Sequence, residues 1–366
     1  MFASIYAGQK VLVTGHTGFK GSWLSLWLLE LGAEVVGFSN DIPTNPSIFT
    51  DLNLKDKITD YRGDIRDMGS LNEVVLNEKP DFIFHLAAQP IVSESYADPV
   101  GTITTNAIGT MNLMEVLRKI DWPCSVVLIT SDKSYDNVEW VWGYKETDPV
   151  GGKDIYSGSK GAAELIIKSY YHSFFEGKGH SVRMAVARAG NVIGGGDWAK
   201  DRIVVDCMKA WSAGESVEIR CPEATRPWQH VLEPLSGYLA LGQMVSQSDS
   251  LIGEAFNFGP RGEQNRTVVE LLSDLFNYSD IGDAEVAFTV TDNIPFKESG
   301  LLKLNCDKAL FYLKWEAALD YKNTVRFTAD WYSNYFANND DIHKFTVQQI
   351  AQYEEIAKEK DCRWAS

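Results

Sequence analysis

The sequence KVLVTGHTGFKGSWLSLWLL (residues 10–29) combines three structural signals. A β-branched run ends at Thr14, glycines follow at positions 15, 18 and 21, and a longer apolar segment comes next. Glycines at this spacing permit a tight turn, a close approach of the backbone to a phosphate and close packing of helix on strand, while the helix N-terminus offers unpaired N–H groups to an anion. Gly15, Gly18 and Gly21 therefore predict a dinucleotide-binding turn between a first strand and a first helix.

Around that turn, short β-branched runs alternate with longer amphipathic segments. Strands that are apolar on consecutive residues and separated by helices indicate a parallel sheet covered on both faces. The sequence thus predicts an α/β fold, a doubly wound parallel sheet of Rossmann type. The predicted strands are KVLVTG (10–15), EVVGF (34–38), DFIFHLAA (81–88), SVVLITSD (125–132) and VRMAVARAG (182–190), and the predicted helices span 21–31, 70–77, 104–120 and 156 to about 175.

The regular alternation ends at GNVIGGGD (190–197), and the later elements are shorter and less regular. Residues from about 229 to 246 predict one more helix, which could return to cover the sheet. We therefore expect a dinucleotide-binding domain of residues 1–190 and about 229–255. A smaller, interleaved substrate-binding lobe is expected from residues 191–228 and about 256–366. The polar tail from residue 340 predicts a peripheral helix anchored by Tyr353 and Trp364.

The segment after the second strand, Phe38 to Asp41, is where such folds meet the adenosine ribose. No Arg follows closely to receive a 2′-phosphate, so NAD is favoured over NADP. Either Ser39 or Asp41 is the ribose ligand. GDIRD (63–67) ends a further predicted strand, the third in chain order, and its Asp64 could accept a hydrogen bond from the adenine amino group or could cap the next helix.

Tyr156 and Lys160 form a Y-x-x-x-K pattern within YSGSKGAAELIIKSYY. Spacing of i, i+4 places both side chains on one helix face. An ammonium group beside the phenol favours the phenolate, so Tyr156 is a candidate base toward a substrate hydroxyl. Lys160 is also a candidate ligand of the nicotinamide ribose.

The charge and the cysteine content of the chain indicate which partners and which cellular compartment to expect. With 34 Lys and Arg against 50 Asp and Glu, the chain has a formal charge of −16, which disfavours nucleic acid and anionic membranes as partners. The five cysteines include no C-x-x-C pair, so we expect neither a disulfide framework nor a metal site. The N-terminal residues lack a signal-peptide pattern and the apolar runs are too short for a membrane span, so we expect a cytoplasmic protein.

Together these motifs resemble the extended short-chain dehydrogenase/reductase family. The resemblance covers nearly the whole chain through HLAAQP (85–90), TNAIGT (105–110), YSGSK (156–160), RAGNVIG (188–194) and RPWQHV (226–231). It implies NAD as cofactor, with further cofactor contacts at Thr17, Phe19, Ile65, Leu86, Ala87 and Asn106. It also implies a homodimer or higher homo-oligomer formed through the two helices that contain Leu113, Val116, Leu117, Ala162, Leu165 and Ile166.

Within that family, the residues that end the fifth strand distinguish the reactions. Here they are Thr130, Ser131, Asp132 and Lys133. Epimerases and reductases usually have small or apolar residues where this chain has Asp132 and Lys133, whereas nucleoside-diphosphate-glucose 4,6-dehydratases have an acid and a base. The Asp-Lys pair, with the downstream YDN, WGY and GGGDW, resembles the branch of dehydratases that act on CDP-glucose.

The resemblance implies a role for each group on a nucleotide-sugar substrate. Tyr156 removes the proton of the sugar 4-hydroxyl as C4 gives hydride to NAD, with Ser131 hydrogen-bonded to the same oxygen. Lys133, if neutral, takes the C5 proton, and Asp132, if protonated, gives a proton to the departing C6 hydroxyl. Hydride then returns to C6, which yields a 4-keto-6-deoxy sugar without net redox change.

The two phosphate charges of such a substrate need local cations in an acidic protein. Arg226 is the first candidate and Arg202 the second, while Gln89 and Asn191 are candidate hydrogen-bond partners of sugar or phosphate. His230 either binds substrate or only packs in the core.

Three alternatives remain at this point. They are a dehydratase for a dTDP- or GDP-sugar, a nucleotide-sugar epimerase, and a non-catalytic NAD-binding sensor. Lys133 in place of Glu argues against a dTDP-sugar, and the Asp132-Lys133 pair argues against an epimerase. The intact Ser131, Tyr156 and Lys160 argue against a sensor.

Overall fold

A computed structural model describes residues 1–177, 179–219, 221–262, 264, 266–279, 281, 288–291, 301–338 and 341–366. The strands are β1 (Lys10–Thr14), β2 (Glu34–Ser39), β3 (Thr59–Arg62), β4 (Phe82–His85), β5 (Cys124–Ile129), β6 (Val182–Ala189), β7 (Val192–Ile193), β8 (Val217–Ile219), β9 (Thr225–Arg226), β10 (Gln229–His230), β11 (Ala255–Phe258), β12 (Arg266–Thr267) and β13 (Phe288–Val290).

The α-helices are α1 (Phe19–Glu30), α2 (Ile48–Asp51), α3 (Met68–Glu78), α4 (Val92–Ala97), α5 (Pro99–Ile103), α6 (Gly109–Leu117), α7 (Ile155–Tyr170), α8 (Ile203–Ser212), α9 (Leu232–Gln247), α10 (Val268–Tyr278), α11 (Tyr321–Ala337) and α12 (Ile342–Glu359). Single π-helical turns at Thr104–Ile108 and Tyr171–Phe175 adjoin α6 and α7, and a third lies at Ala309–Leu313.

Within the described residues, seven strands form one parallel sheet in the order β11-β6-β5-β4-β1-β2-β3. The order reverses between β1 and β4, and the crevice at such a reversal, beyond the carboxyl ends of the strands, is where open α/β sheets bind ligands. The predicted doubly wound parallel sheet is confirmed.

Both faces of the sheet are covered, which explains why its strands are apolar on consecutive residues. Val11 and Val13 of β1 point into one core, which also contains Trp23 and Trp27 of α1. Leu12, between them, points into the second core with Leu113 of α6. Successive side chains of a strand alternate between faces, so a strand covered on both sides needs no polar positions.

The region after β6 returns to the sheet through α9 and β11. The helix predicted from about residue 229 begins instead at Leu232, because Gln229 and His230 form β10 and pair with Val192 and Ile193 of β7. The edge strand β11 extends past the predicted domain boundary near residue 255 and pairs with β6. The division into two domains stays a prediction.

The tail after residue 340 is not peripheral, contrary to expectation. Tyr353 and Trp364 are buried, as predicted, but α12 packs directly against α1. Trp27 Nε1 of α1 donates a hydrogen bond to Glu354 Oε1 of α12 at 2.8 Å, and the ring of Trp364 stacks on Phe2 at a centroid distance of 5.2 Å. Among the described residues, no helix combines the length and apolar character needed to cross a membrane.

Candidate active site

A cavity of about 820 Å³ opens at the carboxyl ends of the sheet strands. The chain enters it directly after each of the first six strands. The lining residues at those six places include Gly15, Ser39, Gly63, Leu86, Thr130 and Gly190. The cavity also contains the predicted cofactor contacts Thr17, Gly18, Phe19, Gly21, Asp64, Ile65 and Ala87.

The glycine-rich turn has the close backbone packing that its spacing predicts. Gly15 has φ of +74°, and a Cβ at this position would lie 2.8 Å from the backbone of Ala87. A Cβ at Gly21 would overlap the carbonyl oxygen of Gly15. Helix α1 begins after Gly18, which provides no side-chain cap, so the first N–H groups of the helix remain available to an anion.

At the expected adenosine end, both ribose candidates line the cavity. Ser39 Oγ and Thr17 Oγ1 are hydrogen-bonded at 2.8 Å, and Thr17 Oγ1 donates to the carbonyl of Asp41 at 2.6 Å. Asp64 also lines the cavity, where Arg66 binds its carboxylate and holds the pKa of Asp64 below its ordinary value. The cap of α3 is Asp67, not Asp64.

Three predicted catalytic residues form one turn after β5, the catalytic turn Ser131–Lys133. Ser131 Oγ donates to Asp132 Oδ1 at 3.0 Å and accepts a hydrogen bond from the backbone N–H of Lys133 at 3.2 Å. Ser131 thereby caps the single 3-10 turn Asp132–Ser134. Asp132 is buried, Lys133 is partly buried, and both line the cavity.

Tyr156 and Lys160 form the catalytic face of α7, which lies opposite that turn. Asp154 caps the helix by accepting a hydrogen bond from the N–H of Ser157 at 2.9 Å, so Tyr156 lies in the first helical turn. Both side chains are buried, and Lys160 Nζ lies 6.0 Å from the centroid of the Tyr156 ring. The helix and the turn together bring all five predicted catalytic residues to one cavity.

Burial dominates the electrostatics of these groups. It raises the pKa of Asp132, against the opposing charge of Lys133. It also raises the pKa of Tyr156, and the cation that most opposes this rise is Arg202. The pKa of Lys160 is lowered to about 8 by burial.

Sequence reasoning missed four charged residues of the cavity, Lys20, Glu94, Asp197 and Lys200. Burial and the charge of Arg202 lower the pKa of Lys20 to about 8, while burial raises the pKa of Asp197. The position of Lys20 could have indicated a role in the site. A cation in the first turn of a helix interacts unfavourably with the helix dipole, so its presence there suggests a function other than helix stability. For Asp197 within GGGDW, only its loop position gave a hint.

Two predicted contacts do not fit the structure. Asn106, predicted to bind the cofactor, lies behind the cavity wall, where it donates to Ser159 Oγ at 2.9 Å and accepts from the N–H of Gln89 at 2.8 Å. His230, predicted to bind substrate, is fully buried between Trp23 and Phe327. Because His230 lies in β10, its ring points into the core. This position agrees with the alternative that His230 only packs in the core.

Three of the four remaining substrate candidates line a second cavity of about 300 Å³ that adjoins the first. Asn191, Arg202 and Lys133 line both cavities, whereas Arg226 lines only the second. Gln89 lines the first, with its side-chain amide donating to Thr102 Oγ1 at 2.7 Å. The two cavities form one continuous path from the glycine-rich turn to Arg226.

Comparison with known proteins agrees with this geometry. A family model described as GDP-mannose 4,6 dehydratase matches residues 12–328. The chain belongs to this family. A relative named CDP-glucose 4,6-dehydratase, from Salmonella typhimurium, is 44% identical over 340 residues, which are 92% of this chain and 94% of the relative. The predicted relationship to nucleotide-sugar dehydratases is confirmed.

Two further proteins are similar to this chain at lower identity. A CDP-paratose 2-epimerase from Salmonella typhi is 25% identical over 89% of this chain and all of its own length. A solved dTDP-glucose 4,6-dehydratase from Streptomyces venezuelae, with NAD bound, shares the fold at a TM-score of 0.74 and 19% identity. The similarity covers 91% of this chain and 99% of that one.

Proposed function

We propose that the protein is an NAD-dependent nucleotide-sugar 4,6-dehydratase that converts CDP-D-glucose into CDP-4-keto-6-deoxy-D-glucose and water. The observation that carries the proposal is the pair Asp132 and Lys133 in the same cavity as Tyr156 and Lys160. Hydride transfer alone does not require that pair, whereas elimination of water requires an acid and a base. The relative at 44% identity supports CDP-glucose as the substrate.

The glycine-rich turn fits NAD. Gly15, Gly18 and Gly21 line the cavity at the start of α1, where a pyrophosphate would meet the first N–H groups of the helix, and the cavity extends from there to Tyr156. When bound, NAD supplies a hydride acceptor for sugar C4 and afterwards a hydride donor for C6. Ser39 or Asp41 would hold the adenosine ribose, and Lys160 would hold the nicotinamide ribose.

The protein's own residues move the protons. Burial raises the pKa of Tyr156, so the proposed phenolate would depend on the positive nicotinamide ring nearby, which favours it. The phenolate oxygen accepts the proton of the 4-hydroxyl, while Ser131 Oγ turns from Asp132 and donates its hydrogen bond to the same sugar oxygen. The resulting 4-ketone acidifies the C5 hydrogen, which Lys133 Nζ accepts as a proton. Asp132 protonates the C6 hydroxyl, which leaves as water. C5 regains a proton, so the product differs from the substrate by one water.

The burial of Asp132 suits its proposed role. Burial raises the pKa of its carboxyl and so favours the protonated form that an acid requires. Further along the path, Arg202 and Arg226 line the second cavity and would bind the two phosphates of the substrate.

We also propose a homodimer in the region of the two helices that were expected to pair, through contact residues that differ in part from the expected ones. Leu113, Val116 and Leu117 are buried in the chain's own core and are not free to form an interface. The large apolar side chains that are exposed on α5, the adjacent π-helical turn and α7 are Val100, Ile103, Ile108, Ile155 and the expected Leu165. A cytoplasmic location suits the five free thiols.

The test of the function is direct. We expect purified protein incubated with NAD and CDP-glucose to yield a product lighter by one water, with a carbonyl at C4. The same incubation with dTDP-glucose and GDP-mannose measures the choice of nucleotide. An isomer of unchanged mass would indicate an epimerase, and an unchanged sugar would indicate a binding protein.

A further inference from the structure

Glu164 extends the catalytic face of α7 by one helical turn. Tyr156, Lys160 and Glu164 lie at i, i+4 and i+8 of that helix, and the side chain of Glu164 is only 6% exposed. A carboxylate buried this deeply is costly unless it is paired and hydrogen-bonded. The proposed steps of the reaction do not use it.

The Glu164 carboxylate joins α7 to β6 and to the residue that follows β5. Thr130 Oγ1 donates to Oε1 at 2.5 Å, and Arg188 donates from Nε to Oε1 at 2.7 Å and from Nη2 to Oε2 at 2.9 Å. Thr130 directly precedes the catalytic turn, and Arg188 belongs to β6. A two-pronged bridge of this kind fixes orientation as well as distance.

Arg188 is itself held from the opposite side. Its Nη1 donates to the hydroxyl of Tyr135 at 2.7 Å, and that hydroxyl donates to Asn257 Oδ1 of β11 at 2.8 Å. Arg188, Tyr135 and Asn257 are all buried. The bridge to Glu164 is therefore anchored in the edge of the main sheet.

We propose that Glu164 is a positioning residue that fixes the catalytic turn against the catalytic face of α7. The inference rests on the proposed dehydratase function, because elimination needs the turn and the helix face on the same sugar ring. A displacement of about 1 Å between such groups can lower a rate about a hundredfold.

The charge of Glu164 has a second consequence at Lys160. Burial lowers the pKa of Lys160 to about 8, and the negative charge of Glu164 opposes that shift. Without this charge, Lys160 loses its proton at lower pH. The other charged or titratable groups around the catalytic face are Lys20 from α1, His85 from β4, Asp132 and Lys133 from the catalytic turn, Asp154 before α7 and Arg202 before α8.

Two substitutions distinguish the effect of the Glu164 charge from the effect of its side-chain length. Glu164→Gln keeps the length and removes the charge, so the alkaline limb of the pH profile of kcat should move about one unit lower. Glu164→Asp keeps the charge but moves the carboxylate back by one methylene. The alkaline limb should therefore stay at the wild-type pH, while kcat falls about tenfold. NADH binding, followed by fluorescence across the same pH range, should shift in the Gln variant alone.

A merely structural role gives a different result. It would lower the midpoint of thermal unfolding but leave the alkaline limb and the NADH titration at their wild-type pH, and this would overturn the inference. Glu176→Gln, on an exposed side chain, is the matched control and should change nothing.

If Glu164→Gln does not fold, Glu164→Asp and Thr130→Val test the positioning role of Glu164 instead. A kcat about tenfold lower in both, with KM for CDP-glucose unchanged, supports the inference, and wild-type kcat in both overturns it. Absence of dehydration by the wild-type protein would instead contradict the proposed function, while the NADH titrations would still test Glu164.

Discussion

At the scale of single residues, Asp132 and Lys133 are neighbours in sequence with different surroundings. Asp132 is only 4% exposed and accepts a hydrogen bond from Ser131, whereas Lys133 is partly buried and also lines the second cavity. The buried carboxyl suits a proton donor to a departing hydroxyl. The more accessible amine suits a base that meets the sugar from the substrate side.

Removal of either group should stop the reaction at a different point. In Lys133→Met, Tyr156 still acts, so absorbance of reduced nicotinamide should appear on the enzyme and persist, without deuterium entering C5 from heavy water. Asp132→Asn should permit C5 exchange but eliminate water about 10²- to 10⁴-fold more slowly. Tyr156→Phe should show neither signal. Wild-type C5 exchange in Lys133→Met would rule out Lys133 as the base.

Arg226 should contribute to substrate affinity and little to cofactor affinity, because it lines only the second cavity. A charge-assisted contact with phosphate is worth about 1.5–3 kcal/mol, so Arg226→Ala should weaken CDP-glucose binding roughly ten- to a hundredfold. Calorimetric titration with CDP-glucose and separately with NAD measures both. Equal losses for the two ligands would show that Arg226 has a structural role.

At the scale of elements, the turn between β1 and α1 uses its glycines for two purposes. A Cβ at Gly18 would meet only the Gly15 carbonyl oxygen, at an ordinary 3.4 Å, whereas a Cβ at Gly21 would overlap that oxygen. Gly18→Ala should therefore fold with a near-normal unfolding midpoint and bind NAD less tightly, while Gly21→Ala should lower the midpoint itself. Thermal unfolding with and without NAD distinguishes them, and equal midpoints for the two variants would contradict this assignment.

The same scale shows what the sequence could and could not predict. Five of the seven sheet strands, β1, β2, β4, β5 and β6, and helix α7 were predictable because each depends on local periodicity or a local cap, such as Asp154 before Tyr156. The edge strand β11 was not predicted. The start of α9 was not predictable, since β10 forms only by pairing with a strand almost forty residues earlier in the sequence. Asn106 was placed in the correct region, but whether it faces the ligand or Gln89 depends on helix rotation, which the sequence alone does not specify.

At the scale of the whole molecule, buried titratable groups couple stability to pH, and His230 gives a clear case. Burial lowers its pKa to about 3, and among the described residues its Nε2 has no hydrogen-bond partner. The unfolded chain therefore takes up this proton first, near pH 6.5, so acidification through the range from 6.5 to 3 favours unfolding.

His230→Leu removes that titration. We expect the difference in free energy of unfolding between wild type and variant to shift in favour of the variant by about 1.4 kcal/mol per pH unit below 6.5. Urea unfolding at several pH values between 8 and 5 provides the measurement. A difference that stays constant over this range would show that His230 is already charged in the folded protein.

Assembly is the other whole-molecule property open to test. Val100, in the proposed interface, is 70% exposed in the single chain, and Val141, outside it, is 69% exposed. Val100→Glu should therefore dissociate the dimer, because a charge in an apolar interface is costly, while Val141→Glu should not. Light scattering after size-exclusion chromatography measures the mass, and a dimer that survives Val100→Glu would place the interface elsewhere.

The packing of α1 against α12 has a consequence for synthesis on the ribosome. Trp27 finds its hydrogen-bond partner Glu354 only 327 positions later in the sequence. At a translation rate of about 5–20 residues per second, α12 is synthesised roughly 15 to 65 seconds after α1, and only then can it cover the apolar side of α1. During that time the nascent chain exposes Trp23 and Trp27, which the finished protein buries, so this face of α1 is where we expect aggregation or chaperone binding to begin during synthesis.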